Sequence, residues 1–151
     1  YALLANKQEA EQLRAFIRTE PPSEEGGYRE KFSENEPLLK AADRCNEDLG
    51  CWERLVSSGD NAARRKAAFM LGRYGRGRAS SLQALTKTLD HPSIEVRMAG
   101  LLALDRAAVK GSPEAVAKID ELKKKEAGKA IWSKFESEAL PVQARLRARA
   151  K

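Results

Sequence analysis

Long apolar runs and aromatic residues are both scarce in this sequence. No stretch of about 18 consecutive apolar residues occurs, and a transmembrane helix needs roughly that length, so we expect no membrane span. Aromatic residues make up 6% of the 151 residues, while alanine and leucine are abundant. Such a composition favours closely packed helices over strands. We therefore expect one all-helical domain.

Side chains suited to catalysis or metal binding are few. Histidine occurs once, as His91 in a His-Pro turn, and is expected to serve as a turn or cap residue. A structural zinc site needs four ligands, and the two cysteines and His91 supply three. No glycine-rich phosphate loop follows a strand, and no serine or cysteine has a plausible catalytic partner. We expect a protein that is not an enzyme and holds no metal or cofactor.

The two cysteines, Cys45 and Cys51, are separated by five residues, whereas a redox motif of the thioredoxin type has two. On one continuous helix their Cα atoms would lie about 9 Å apart, beyond the roughly 7 Å limit for a disulfide. A bridge therefore requires a turn, which residues 47–50 can supply. We predict a disulfide, with free buried thiols as the alternative. A disulfide is typical of oxidising compartments, so we expect a periplasmic or secreted protein, with a cytoplasmic one as the alternative.

Acidic side chains are missing from residues 61–89, which hold 7 basic ones, whereas residues 1–60 hold 8 basic and 13 acidic side chains. The basic stretch is either a solvated face or a surface that binds an anionic partner, such as an acidic protein, a polyanion or nucleic acid. We expect a protein partner, with nucleic acid less favoured because the cations come mostly from one part of the chain. The candidate binding residues are Arg65, Lys66, Arg73, Arg76 and Arg78.

Apolar residues recur with a period of 33 residues, which indicates internal repetition. Three series share this period: Leu38, Leu71 and Leu104; Leu49, Leu82 and Ala115; and Val56, Leu89 and Leu122. A pair of helices in 33 residues cannot bury its own apolar faces, so neighbouring pairs are expected to stack around one continuous core.

Helix start and stop signals agree with this period. Asp60 can cap a helix over residues 62–75, which the following glycines end, and a second helix is expected from Ser80 to Leu89. In the next unit a helix is predicted over residues 94–109, and Ser112-Pro113 starts another, with serine as the cap and proline in the first turn. Each unit is therefore predicted to be a pair of helices.

Residues 63–72 (ARRKAAFMLG) and 96–104 (VRMAGLLAL) resemble the first helix of short bacterial HEAT-like repeats of the phycobilisome-lyase type. The resemblance covers about residues 35–126 and implies an all-α solenoid of stacked antiparallel helix pairs. It also implies that Arg64 and Arg97, at the arginine position of the repeat, form a structural charge ladder. The expected partners are acidic turn residues, Asp60 and Asp90, with Glu95 as a further candidate.

The ends of the chain depart from the period and are expected to cap the solenoid. Residues 1–34 are predicted to form a cap helix and an acidic loop, residues 35–126 about three HEAT-like units, and residues 127–151 the C-terminal cap helices, the last beginning at Pro141. Trp52 is predicted to be a core residue, and Trp132 and Phe135 to seal the C-terminal cap.

A scaffold or protein-interaction module is the function this pattern favours, within a larger exported polypeptide. The alternative is a nucleic-acid or polyanion binder that uses the basic stretch. We expect the module to be a monomer.

Overall fold

The computed structural model describes residues 47–151 continuously and, before them, positions 8, 9, 11, 12, 15 and 45. Six helices follow in the continuous part: α1 Leu49–Ser58, α2 Asn61–Tyr74, α3 Ala79–Thr88, α4 Ile94–Ala107, α5 Pro113–Glu126 and α6 Ala130–Arg149. Within these residues there is no strand. The predicted N-terminal cap and the first helix of the first unit lie outside the described residues, apart from the six isolated positions, which are helical.

The helices form two layers. One layer contains α2, α4 and α6, with α4 packed against both of its neighbours, and the other contains α1, α3 and α5. Helix α2 also packs across the layers on α1, as α4 does on α3 and α6 on α5. This arrangement is an α-solenoid, and the predicted all-α fold of stacked helix pairs is confirmed.

The predicted helix starts are observed with their caps. Asp60 accepts a hydrogen bond from the backbone N–H of Ala63 at 2.8 Å, and Ser112 accepts one from Ala115 at 3.3 Å. Each cap pairs one of the amides that a helix leaves without an internal partner. The glycine signals also act locally, since Gly77 and Gly111 have φ angles of 71° and 75°, which favour glycine.

The described residues of the 33-residue period lie in the core or pack against it, while Leu38 lies outside the described residues. Leu71 and Leu104 are fully buried, as are Val56, Leu89 and Leu122. A period of one helix pair therefore brings equivalent apolar side chains to the same layer boundary in successive units, as the stacking requires.

The predicted aromatic core residues are buried as well. Trp52 is 1% exposed, and Trp132 and Phe135 are 4% and 0% exposed. The last two meet edge to face with ring centroids 6.0 Å apart, a favoured geometry for aromatic pairs.

The C-terminal cap is one helix rather than two. Helix α6 runs through Pro141 without a break, so the prediction that a new helix begins there is wrong. Proline removes one N–H and its ring crowds the carbonyl of the preceding turn, here that of Ser137. Both residues face solvent, where water can bond that carbonyl, while Ala139 and Val142 on the buried side keep the helix packed.

Candidate functional site

A cleft of about 450 Å³ opens between α2 and α4. Its lining residues recur at helical spacing over about two turns of each helix. One wall is therefore a stripe of α2 and the other is a stripe of α4. They are Arg65, Phe69 and Gly72 from α2, and Ala99, Leu102, Ala103, Asp105 and Arg106 from α4.

The close approach of α2 and α4 at Gly72 forms one end of the cleft. A Cβ atom on Gly72 would lie 2.9 Å from the Cα and 3.0 Å from the Cβ of Ala103, which is closer than packed carbon atoms normally lie. Two small residues thus let the backbones meet there, while the larger Phe69 and Leu102 line the neighbouring space.

The middle of the cleft is apolar and open to solvent. Leu102 is 56% exposed, and Phe69 is partly exposed and packs against the core. The guanidinium of Arg106 lies over the Phe69 ring at 5.8 Å from its centroid, which is within cation–π range. An apolar side chain entering the cleft would therefore contact Leu102, alanine side chains and the Phe69 ring, which is already in contact with the Arg106 guanidinium.

Arg65 lines the cleft from α2 and has an unused hydrogen-bond donor. Its Nε atom is buried and has no partner. A buried donor without an acceptor costs about 1–3 kcal/mol, so such groups are uncommon in folded proteins.

Asp105, the one acidic residue among the described lining residues, is already neutralised by helix α6. Arg145 donates to the Asp105 carboxylate at 2.8 Å, and Arg149 donates to it at 2.9 Å and to the Asp105 carbonyl at 2.6 Å. The hydrogen bond from Arg145, together with both positive charges, holds the pKa of Asp105 below its usual range. The cleft therefore has a net positive environment despite its carboxylate.

Arg97 forms a buried connection between α4 and α5. Its guanidinium donates to the two Glu126 carboxylate oxygens at 2.6 Å and 2.9 Å, and its Nε donates to the His91 carbonyl at 2.6 Å. The hydrogen bond and charge of Arg97 lower the pKa of Glu126, with burial opposing them. The Arg97 side chain is 3% exposed, so its role is to join helices.

Arg64 occupies the equivalent position one unit earlier but has no carboxylate partner among the described residues. It donates to the carbonyls of Gly59 at 2.6 Å and Val56 at 3.2 Å, which lie at the end of α1. The residue 33 positions before Glu126 is Ser93, which is too short and uncharged to repeat the ion pair. Arg64 therefore bonds the carbonyls that α1 leaves unpaired.

The acidic residues expected to pair with these arginines have other partners. Asp60 caps α2, and Asp90 binds Lys118 at 2.9 Å. The prediction that Arg64 and Arg97 pair with Asp60 or Asp90 is therefore wrong. Both acidic residues lie in turns where nearer donors are available, whereas the guanidinium groups extend into the helix interfaces.

His91 lies between the two arginines. Its Nδ1 accepts a hydrogen bond from the backbone N–H of Ser93 at 3.1 Å, as expected of a turn residue. Partial burial, followed by the positive charges of Arg64 and Arg97, lowers the pKa of His91. The neutral imidazole is favoured there.

A family model for HEAT repeats matches residues 52–131, slightly more than half of the chain. The chain belongs to the HEAT-repeat family. No curated protein and no solved structure matches it. HEAT repeats are commonly scaffold or protein-interaction modules, and the fold is typically non-catalytic.

The residues predicted to form a basic surface differ in exposure in the HEAT module, since one of them is buried. Lys66 is 0% exposed, so the expectation that it is a surface cation is wrong. Burial lowers its pKa to about 8, with the charge of Glu9 acting in the opposite direction. The sequence contained a signal for this, since Lys66 lies on the same helical stripe as the buried Ala63 and Met70.

The remaining predicted cations lie on different parts of the HEAT module. Arg73 and Arg76 are exposed, and Arg73 lies over the Tyr74 ring at 5.1 Å. Arg78 donates to Glu53 at 2.9 Å. Arg65 lines the cleft instead, so the five predicted residues do not form one surface.

Glu53 is held by three donors from the start of α3. Arg78, Ser80 and Ser81 bond the same carboxylate oxygen at 2.9, 2.8 and 2.7 Å. Burial raises the pKa of Glu53, but the hydrogen bonds from the two serines and the arginine lower it below its usual range. Arg78 is thus engaged in joining α1 to α3.

Cys45 and Cys51 are bonded as a disulfide in the structure, with Cα atoms 5.3 Å apart. The Asp48 side chain between them accepts from the Cys51 amide at 3.1 Å and begins α1. The turn occupies residues 47–48 of the predicted 47–50, because Leu49 and Gly50 already belong to α1.

Neither a metal cluster nor a membrane span is found in the described part of the chain. No group of three or more histidine, cysteine, aspartate or glutamate side chains there could hold a metal ion. Of the helices described, none combines the length and the apolar character needed to cross a membrane.

Proposed function

We propose that this HEAT module is a non-catalytic scaffold that binds a protein partner through the outer face of α2 and α4. The observation that carries the proposal is the open cleft between these helices, which has an apolar middle and arginines at its edges. Exposed apolar groups of this kind, bordered by polar ones, are typical of protein-binding surfaces. Leu102, at 56% exposure, would be shielded from water by a partner.

Two carboxylates, one lining the cleft and one at the contact between α4 and α5, support a scaffold role rather than a chemical one. Asp105 is clamped by two arginines of α6, and Glu126 by Arg97. These carboxylates hold helices together and are kept ionised by their partners. A general acid or base needs a pKa near the working pH, which these partners oppose.

Site-specific photo-crosslinking in cells of the source organism tests the scaffold proposal. A photoreactive amino acid replaces Leu102 in the cleft or, as a control, the exposed Gln83 of α3 in the other layer. We expect a discrete protein adduct from position 102 that position 83 does not give. Equal adducts from both positions, or none from position 102, would contradict the proposed face.

We also propose that the module is part of an exported protein. The support is the Cys45–Cys51 pair, because disulfides persist in oxidising compartments. Alkylation of the protein taken directly from cells, before any reductant, should find no free thiol. Two alkylated cysteines in that sample would reject export and favour the cytoplasmic alternative.

A polyanion or nucleic-acid binder is the second candidate function, and one feature of the turns favours it. Gly77 donates to the Ala107 carbonyl at 2.9 Å, and Gly111 packs against Leu146 of α6 and Ala150, which follows that helix. The C-terminal ends of α2, α4 and α6 therefore lie along one edge. The basic residues of this turn edge are Arg73, Arg76, Lys110, Arg147, Arg149 and Lys151.

Salt dependence separates the two candidates. Binding of heparin or duplex DNA along the turn edge should weaken by orders of magnitude as salt rises from 50 to 200 mM, because several bound counterions are exchanged. Arg147 and Arg149 are already paired with Asp120 and Asp105, which favours the protein-binding reading. No association with either polymer at low salt would remove the alternative.

A further inference from the structure

We infer that the cleft between α2 and α4 recognises an acidic peptide segment in which an apolar side chain is flanked by aspartate or glutamate. The inference rests on the proposed protein-binding function and specifies the partner's chemistry. The apolar side chain would contact Phe69 and Leu102, and the carboxylates would reach Arg65 and Arg106.

Charge is the first argument for an acidic partner. Arg65 and Arg106 contribute two positive charges to the cleft, and neither is paired with a carboxylate among the described residues. Among the described lining residues the one carboxylate is that of Asp105, and it is compensated by Arg145 and Arg149 of α6. An anionic segment would therefore meet attraction from both edges with little opposing charge.

The unused donor on Arg65 is the second argument. Nε is buried without an acceptor, and its energetic cost is relieved when an acceptor arrives. Arginine can bind a carboxylate through two parallel N–H groups, one of which can be Nε. A modest rotation of the flexible Arg65 side chain would bring its Nε to such a carboxylate. A carboxylate at this edge would gain a charge-assisted bond where the free module has none.

The apolar middle limits what else the peptide can be. Leu102 is 56% exposed, and Phe69 already faces the Arg106 guanidinium at 5.8 Å. A leucine or phenylalanine of the partner would cover both side chains and remove apolar area from water. A purely acidic chain, or a phosphate polymer, would leave this area exposed.

Fluorescence anisotropy with defined peptides tests the inference on the full chain of 151 residues. The probe is a labelled nine-residue peptide with a central leucine-phenylalanine pair flanked by aspartates and glutamates. One comparison peptide replaces the acids by their amides, and another replaces the apolar pair by serines. Both changes should weaken binding by about tenfold or more, the value expected for losing charge-assisted bonds or a buried apolar pair.

A pair of charge-matched variants separates the cleft from general electrostatics. R65Q/R106Q should weaken binding of the acidic peptide by about tenfold or more. The control K87Q/K123Q removes the same charge from exposed residues of α3 and α5, outside the cleft and the turn edge, and should change affinity less than about threefold, because exposed charges are screened by salt. L102E should also weaken binding, and its exposed position makes it a mild change for folding.

Four outcomes would overturn the inference: equal loss in the two double variants, equal binding of the amide peptide, retained binding by L102E, or displacement of the peptide by duplex DNA. Peptide shifts in a ¹⁵N-labelled sample that map outside α2 and α4 would reject the cleft as well. The proposed scaffold function would survive each of these results if crosslinking from another face still yields a protein adduct. An absence of protein adducts from every face would instead reject the scaffold.

Discussion

Arg97 and Glu126 form a bidentate ion pair whose side chains are 3% and 10% exposed. Replacing Arg97 by methionine would leave the Glu126 carboxylate buried without its partner. Breaking such a pair typically costs about 3–5 kcal/mol of unfolding free energy. Urea unfolding followed by circular dichroism should show a loss of this size for R97M.

The matched control is K118M, which breaks the more exposed ion pairs of Lys118 with Asp90 and Glu121. An exposed pair contributes at most about 1 kcal/mol, so K118M should change the midpoint little. Equal losses in the two variants would contradict the assignment of Arg97 as a buried connection between helices.

Lys66 predicts an alkaline pH dependence of stability. Its folded pKa of about 8 lies below the ordinary 10.5, so between these values the unfolded chain binds a proton that the folded chain does not. The free energy of unfolding from this group therefore rises with pH over that window. Unfolding curves from pH 7.5 to 10.5 should show the rise in the native chain and not in K66M.

The exposed Lys87 provides the control, since K87M should retain the alkaline rise. A native chain with the same pH profile as K66M would show that Lys66 keeps an ordinary pKa.

At the residue scale, local signals were predictable and long-range partners were not. Asp60 and Ser112 could be identified as caps because a cap acts on amides two or three residues away. The Glu126 partner of Arg97 is 29 positions distant, and a long arginine side chain can reach several acidic residues from one register. Sequence spacing alone does not decide among them.

Among the elements, α2 and α4 are held close by Gly72. G72A would place a methyl group against Ala103, which should separate the helices or force a shift costing about 1–3 kcal/mol. The matched control is G50A in α1, where a Cβ atom would meet only the side-chain ends of Asp48 and Arg54, so that alanine should be neutral or stabilising there. Thermal denaturation should show the loss for G72A alone, and a G72A protein as stable as G50A would contradict close packing at this point.

Helix α6 gives a second test at the element scale, through Pro141. Because proline lies inside the helix and faces solvent, P141A restores a backbone N–H and should stabilise the protein by up to about 3 kcal/mol. If a separate helix began at Pro141, proline would be favourable at its first turn and P141A would be neutral or destabilising. Chemical denaturation of the two proteins distinguishes these results.

The break that the sequence suggests at Pro141 shows why helix ends are harder to predict than helix faces. Proline raises the cost of continuing a helix, but buried packing on α4 and α5 can exceed that cost. The stripe of Phe135, Ala139, Val142 and Leu146 continues across the proline at helical spacing. This unbroken apolar stripe indicates one helix rather than two.

For the whole molecule, the 33-residue period was sufficient to predict a stack of helix pairs, because equivalent apolar positions must meet in successive units. The cleft was not predictable in the same way. It depends on the distance between α2 and α4 at Gly72 and on the compensation of Asp105 by α6. Neither quantity is contained in a repeat pattern, although Arg65 was among the predicted binding residues.

Hydrogen exchange of the full chain with the acidic leucine-phenylalanine peptide tests the central claim, that the outer face of α2 and α4 is the binding surface. Protection on adding the peptide should appear in residues 65–72 and 99–106, with α3 and α5 unchanged. Protection confined to the turns at residues 75–78 and 108–112, or to α3 and α5, would contradict the account.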